Sequence, residues 1–175
     1  MERTQRIAKG LAVLRVALGA GFLYAGLDKV FHFDGTTGAF SAAGFLKFAT
    51  AGTLPGSAEK AIVNPTHDFW VGLAGNVGLM NLINVLVVTG EIAIGAALIL
   101  GIATRFAGAM GALMMGLFWV ASFDFAHGVV NEQFLYGIVA AFLAYAAAGE
   151  AYGIDTLIEK MRVVAQHPRL RLVLG

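Results

Sequence analysis

Apolar residues run through this chain in long blocks separated by short polar ones. A helix needs about 17 to 25 predominantly apolar residues to cross the hydrocarbon core of a bilayer. Three blocks meet that length outright, at about Leu11 to Phe31, Leu79 to Leu100 and Ala107 to Phe123. A fourth, Phe134 to Ala148, reaches it only by starting near Val130 and carrying Asn131, Glu132 and Gln133 into the interface. The pattern therefore predicts an all-α polytopic membrane protein. Its four-transmembrane-helix bundle has spans at about 11–31, 79–100, 107–123 and 130–148, within one domain of residues 1–175. The first block is not read as a cleavable signal peptide, because Arg15 interrupts the apolar core that such a peptide needs and no A-x-A-like site follows.

Residues 33–68 form the one long connection. In "AFSAAGFLKFAT", Phe40, Phe45 and Phe48 are expected on the bilayer surface as a short interfacial helix. Gly52, Pro55 and Gly56 mark a turn, and "SAEKAIV" reads as a second short helix. Long structured loops are more often functional than idle. Thr66 is a candidate N-cap with Trp70 at interfacial depth, and "GIATR" (Gly101 to Arg105) reads as a tight turn opened by glycine. Trp119 and Tyr136 fit an aromatic belt.

Composition places these helices in lipid. The chain is 58% hydrophobic and 13% charged, with mean hydropathy +0.76, whereas a soluble domain carries about 25% charged residues. Too little polar surface remains to coat a globule in water. The net charge of +1 matters less than its distribution. Arg3, Arg6, Lys9, Arg105, Lys160, Arg162, Arg169 and Arg171 fall on one side of a four-span protein. Lys29, Lys47 and Lys60 fall on the other, among Asp28, Asp34, Glu59, Asp68, Asp124 and Glu132. The bias of Lys and Arg toward cytoplasmic loops puts both termini inside, the 33–68 loop outside and a basic tail at 156–175 in the cytoplasm. The expected location is the cytoplasmic membrane. No basic stripe or recognised motif supports nucleic acid as a partner.

Ionisable groups inside a span cost several kcal/mol unless paired or facing a wet cavity. On the first span Arg15, Gly19, Phe22, Gly26 and Lys29 share one helical stripe, whose glycines let another helix approach closely. Gly21, Ala25, Asp28 and His32 form the adjoining one. Lys29 and Arg15 either snorkel to the two interfaces or pair inward. On the second span Asn81, Asn84, Val88, Glu91 and Gly95 share a face. Arg15 is the candidate partner of Glu91, their depths differing by roughly 7 Å at the helical rise. A lone carboxylate there would take up a proton, while one facing Arg15 would stay ionised. The pair reads as a buried ion pair that fixes packing, as a proton-handling acid beside a ligand cavity, or as both.

His32, His67, Asp124 and His127 gather at the outer surface but come from separate segments and follow no recognised ligand spacing. They fit interfacial hydrogen bonds or a proton entry route better than a metal site, and no metal is predicted. The absence of cysteine excludes disulfides, thiolate zinc, Cys-ligated iron–sulfur clusters and CxxC redox centres. No histidine lies deep in a span to ligate a haem. Electrons for any redox chemistry must come from a partner or a bound small molecule.

The segments "RVALGAGFLYAGLDKVF" (Arg15 to Phe31), "GEIAIGAALILGIATRFAGAMGALMM" (Gly90 to Met115) and "NEQFLYGIVAAFLAYAAAGEAYGID" resemble the successive spans of DoxX-type membrane proteins, over about residues 12 to 157. Glu91 and the "LGIATR" turn fall where the family pattern has them. The family takes its name from a subunit of an archaeal enzyme that passes electrons from thiosulfate to quinone, and related members are called quinol-oxidase subunits. The resemblance implies a membrane subunit associated with quinone redox chemistry. A quinone needs an apolar slot, donors at its carbonyl oxygens and acids to supply protons. Glu91 as proton carrier, Arg15 as its electrostatic partner, and Asn81, Asn84, Lys29, Trp119 and Tyr136 as cofactor-binding residues offer that chemistry, with a partner redox subunit or a second copy completing the assembly. Two other roles fit the same residues: a non-catalytic anchor or assembly factor for a peripheral redox enzyme, and a small-molecule carrier.

Overall fold

The first apolar block and the polar turns before it form one unbroken helix, α1, Glu2–Phe31, of 30 residues. Its buried residues are Arg15, Leu18, Gly19, Phe22 and Gly26, four of them on the predicted stripe, whose last member Lys29 is only partly buried. That stripe faces the second long helix, α4, Val77–Leu100, which starts where the Asn76 side chain accepts the N–H of Leu79 and ends at Gly101 with φ 68°. A Cβ added at Gly19 would lie 2.9 Å from the carbonyl oxygen of Gly95, and one added at Gly95 would run into the backbone of Leu23. Only glycine lets these two backbones come together. Gly95→Leu is expected to lower stability by about 1–3 kcal/mol through forced separation. Gly116→Leu, where an added Cβ meets nothing within 4 Å, should leave it unchanged. Thermal midpoints in detergent distinguish the two.

The computed structural model describes residues 2–35, 37–48, 51–53, 60–62, 64–125, 128–161, 164, 166, 170 and 172–174. Along the connection lie α2, Ala42–Phe48, a hairpin of β1, Ala51–Thr53, and β2, Lys60–Ile62, then α3, His67–Ala74. Ala51 stands opposite Ile62 in the antiparallel register. The strand at Lys60–Ile62 replaces the second short helix expected at "SAEKAIV". A segment of three residues is too short to show a helical or a strand period, and β-branched Ile62 favours the strand. Thr66 does sit at the N-cap position of α3 but makes no capping bond. Its hydroxyl bonds instead to Asn64 Oδ1 and the Val120 carbonyl, and accepts the Trp70 indole N–H at 2.8 Å. Asn64, buried, donates to the carbonyls of Val120 (3.0 Å) and Phe123 (2.7 Å), fastening the connection to the end of the third apolar block.

After the Gly101 turn come α5, Thr104–Ser122, and α6, Glu132–Tyr145, with Asn131 capping α6 through the N–H of Phe134. Leu98, Ala140 and Leu143 are fully buried where α1, α4, α5 and α6 converge, beside Leu18, Phe22 and Ile94. Helices α1, α4 and α5 are long and apolar enough to cross a membrane. Helix α6 has 14 residues, about 21 Å of helix against a core of about 30 Å. It stops short of the expected Ala148 because the chain leaves the helix at Ala146 and folds back in turns, with positive φ at Ala147 and Tyr152. A four-residue helix, α7, Asp155–Ile158, follows.

Candidate functional site

The α1–α4 register decides which charges meet. Gly19 faces Gly95, Gly26 faces Glu91 and Ile92, and Gly101 faces the Arg15 guanidinium. Glu91 lies ten residues before Gly101, about 15 Å along the helix, so Arg15 is too far away and the Arg15–Glu91 pair expected from sequence does not form. Lys29 takes its place. The ammonium of Lys29 lies 2.8 Å from Glu91 Oε2 and donates to Oε1 at 3.0 Å and to the Ala25 carbonyl at 3.2 Å. Its stem therefore turns back into the bundle and does not snorkel outward. The Phe40 ring covers Nζ at 5.2 Å, within reach of a cation–π attraction. The side chain of Glu91 is 4% exposed and that of Lys29 21%. The acid is sealed and the base borders open space.

That space is a cavity of about 560 Å³, within the range of small-ligand sites. Glu91 and Val87 from α4 and Leu18, Phe22 and Lys29 from α1 form part of its wall. Phe40, Ala42 and Phe45 close it from the connection, and Met115 and Phe118 from α5. Glu132, Gln133 and Tyr136 at the start of α6 complete it. Phe45 is held there by the Phe118 ring at 5.6 Å, and α2 by the N–H of Ala42, which donates to Asn84 Oδ1 at 2.8 Å. A larger groove of about 1000 Å³ runs beside α4 and α5, but no ionisable residue lines it. It offers a surface for acyl chains and no chemistry.

Of the residues singled out from sequence, Glu91, Lys29 and Tyr136 come together at this cavity. Asn84 holds α2 in place and does not line the cavity. Asn81 is exposed on α4. Trp119 donates its indole N–H to the Val129 carbonyl at 2.7 Å and stacks on Phe123, away from the cavity. Asp28 and His32 close the end of α1: the Asp28 carboxylate accepts the N–H of Asp34, and His32 turns the chain with φ 54°. Among the described residues no group of three or more His, Asp or Glu is placed to hold a metal. His127 lies outside those residues, as do Glu59, Arg162, Arg169 and Arg171. The side chain of Phe48 is likewise outside them.

Arg15 occupies the opposite end of the bundle and is 2% exposed. Its guanidinium donates to the carbonyls of Ala148 (2.7 Å), Ala151 (3.2 Å) and Tyr152 (3.4 Å), the turns that follow α6. Asp155, buried beside it, acts on it by charge. The Asp155 carboxylate in turn accepts the N–H groups of Ala103 (2.7 Å) and Thr104 (2.9 Å), supplying the cap that the first turn of α5 lacks. Nothing in a single sequence ties Asp155 to a turn fifty residues upstream. The only visible sign was an acid placed directly after a glycine-rich stretch.

A family model described as DoxX matches residues 10–124, from within α1 to just past the end of α5. No curated protein matches the chain, and no solved structure does.

Proposed function

Because the chain belongs to the DoxX family of membrane proteins, we propose that it is a membrane subunit of a quinone-linked oxidoreductase, with the quinone held in the cavity beside Lys29 and Glu91. The observation that carries this reading is a buried, paired carboxylate and ammonium in the wall of a cavity whose other lining is mostly apolar and aromatic. A quinone ring needs apolar contact on its faces, and its carbonyl oxygens need donors. The donor set fits: Lys29, Gln133 and Tyr136 all line the cavity and carry N–H or O–H groups. A bound quinone supplies the two-electron chemistry and takes up two protons on reduction. Glu91 holds or releases a proton at a carboxylate that the ammonium keeps oriented. Glu132, exposed at the rim, connects the cavity to water.

The same reading takes α6 as a short fourth crossing, which puts both termini in the cytoplasm and the cavity toward the outer leaflet of the cytoplasmic membrane. The excess of Lys and Arg on the side of the termini supports this orientation. With no cysteine to hold a cluster, the electrons reach the cavity from a partner redox subunit.

Quinone extracted from gently solubilised protein and measured by mass spectrometry tests the reading. Near-stoichiometric quinone is expected in the native protein. In Glu91→Gln it should fall about tenfold, because no carboxylate then holds the Lys29 ammonium at one position in the wall. That variant should still accumulate, because the freed Lys29 ammonium swings on its flexible stem toward the open cavity. A quinone-free native protein that retains a stoichiometric soluble partner would favour the anchor role and sink this one.

A further inference from the structure

Helix α1 packs along α4, and α5 along α6, but α1 and α6 touch only slightly. The cavity lies in the gap they leave, with Ala17, Gly21 and Tyr24 on one side and Tyr136 on the other. These lining residues are exposed, Tyr24 by 61% and Tyr136 by 51%. Ala17 and Gly21 lie in the middle of a helix long enough to span, so at their depth the surroundings are acyl chains and not water. A Cβ built on Gly21 meets nothing within 4 Å, in contrast to Gly19 and Gly26 on the face against α4. Gly21 borders open space.

We infer that the cavity fills sideways from the bilayer through the cleft between α1 and α6. Its ligand is a long-tailed quinone whose head group meets Lys29 and Glu91 and whose tail leaves along Ala17, Gly21 and Tyr24. This rests on the quinone reading above and adds the ligand's shape and route. The charged groups of the lining lie toward one end, with Lys29, paired to Glu91, in the last turn of α1 and Glu132 and Gln133 in the first turn of α6. The other end is Ala17, Leu18, Gly21 and Phe22. From Lys29 to Ala17 the helix runs about 18 Å, more than one ring occupies. A ligand matched to this lining carries a polar head and a long apolar chain. A wholly water-soluble substrate would leave the apolar half unfilled.

Binding to the full-length protein in lipid nanodiscs tests the route with two probes. One is a long-tailed quinone supplied in the bilayer, the other a tail-less substituted benzoquinone supplied in water. Gly21→Trp should fill the cleft, and Gly10→Trp, also beside open space on α1 but away from the cavity, serves as the control. The expected result is that Gly21→Trp weakens the tailed quinone at least about tenfold and leaves the tail-less probe within about twofold. Gly10→Trp should change neither. Gly21→Leu should fall between, and it carries the test if the tryptophan variant does not fold. Equal weakening of both probes, or none of the tailed one, would overturn lateral entry while leaving the head-group site standing. A native protein that binds neither probe would overturn the quinone reading and this route together.

Discussion

Replacing Lys29 with methionine is expected to remove quinone binding and to destabilise the bundle together, and neutralising Glu91 as well is expected to restore only the second. The Lys29 ammonium lies within 3.0 Å of both carboxylate oxygens of an acid whose side chain is 4% exposed. In Lys29→Met that carboxylate is left in a low-dielectric interior with no counter-charge, and breaking a buried pair from one side costs about 3–5 kcal/mol. Lys29→Met/Glu91→Gln has no charge to strand. Glutamine has the shape of the glutamate it replaces and methionine nearly fills the volume of the lysine, so most of the lost stability should return, as it often does when buried pairs are replaced by uncharged groups of similar volume. Quinone binding should stay lost, because neither new side chain supplies a cationic donor or an exchangeable acid. Thermal midpoints and extracted quinone, measured on the native protein, both single variants and the double, give a complete cycle. A double variant that binds quinone like the native protein would show that the pair serves packing alone.

Much of the architecture was legible because helix periodicity is local. The stripe Arg15, Gly19, Phe22, Gly26 on α1 is the buried face, and the glycine-opened turn at Gly101 is where the spacing put it. The charge pairing failed because it depends on how one helix slides along another. Counting depth from the ends of two apolar runs paired Glu91 with Arg15. The backbone contacts at Gly19 and Gly95 set a register that brings Glu91 to Gly26 and Lys29. Polar residues inside spans were likewise read as candidates to line a site. Asn84 and Trp119 instead bond to backbone groups of Ala42 and Val129, demands that arise only once the loops are in place. The Phe40 ring was expected on the bilayer surface but lies over Lys29. The hairpin at Ala51–Thr53 and Lys60–Ile62 is held by pairing across the connection, which no window along the chain reveals.

The largest loss of stability is expected from Arg15→Ala. Arg15 joins α1 to the turns after α6, and it does so from a position 2% exposed. Removing it takes that donor from the buried carbonyls of Ala148 and Ala151, and a buried group left short of its partner costs about 1–3 kcal/mol. It also removes the positive charge beside buried Asp155, whose carboxylate holds the first turn of α5 through Ala103 and Thr104. The effect should therefore spread from α1 to the α4–α5 turn, and the variant should fail to accumulate in the membrane. Arg15→Lys should rescue it poorly, since an ammonium lacks the planar fork that reaches several carbonyls at once. Asp155→Asn should be milder, about 1–2 kcal/mol, because one oxygen still accepts while the new amide faces an N–H. The two sites should couple, so that the double variant loses less than the sum of the singles. Membrane yield and thermal midpoint of the four proteins measure this directly. An Arg15→Ala protein that accumulates and melts like the native one yet holds no quinone would move Arg15 from the scaffold to the quinone chemistry, against its distance from the cavity.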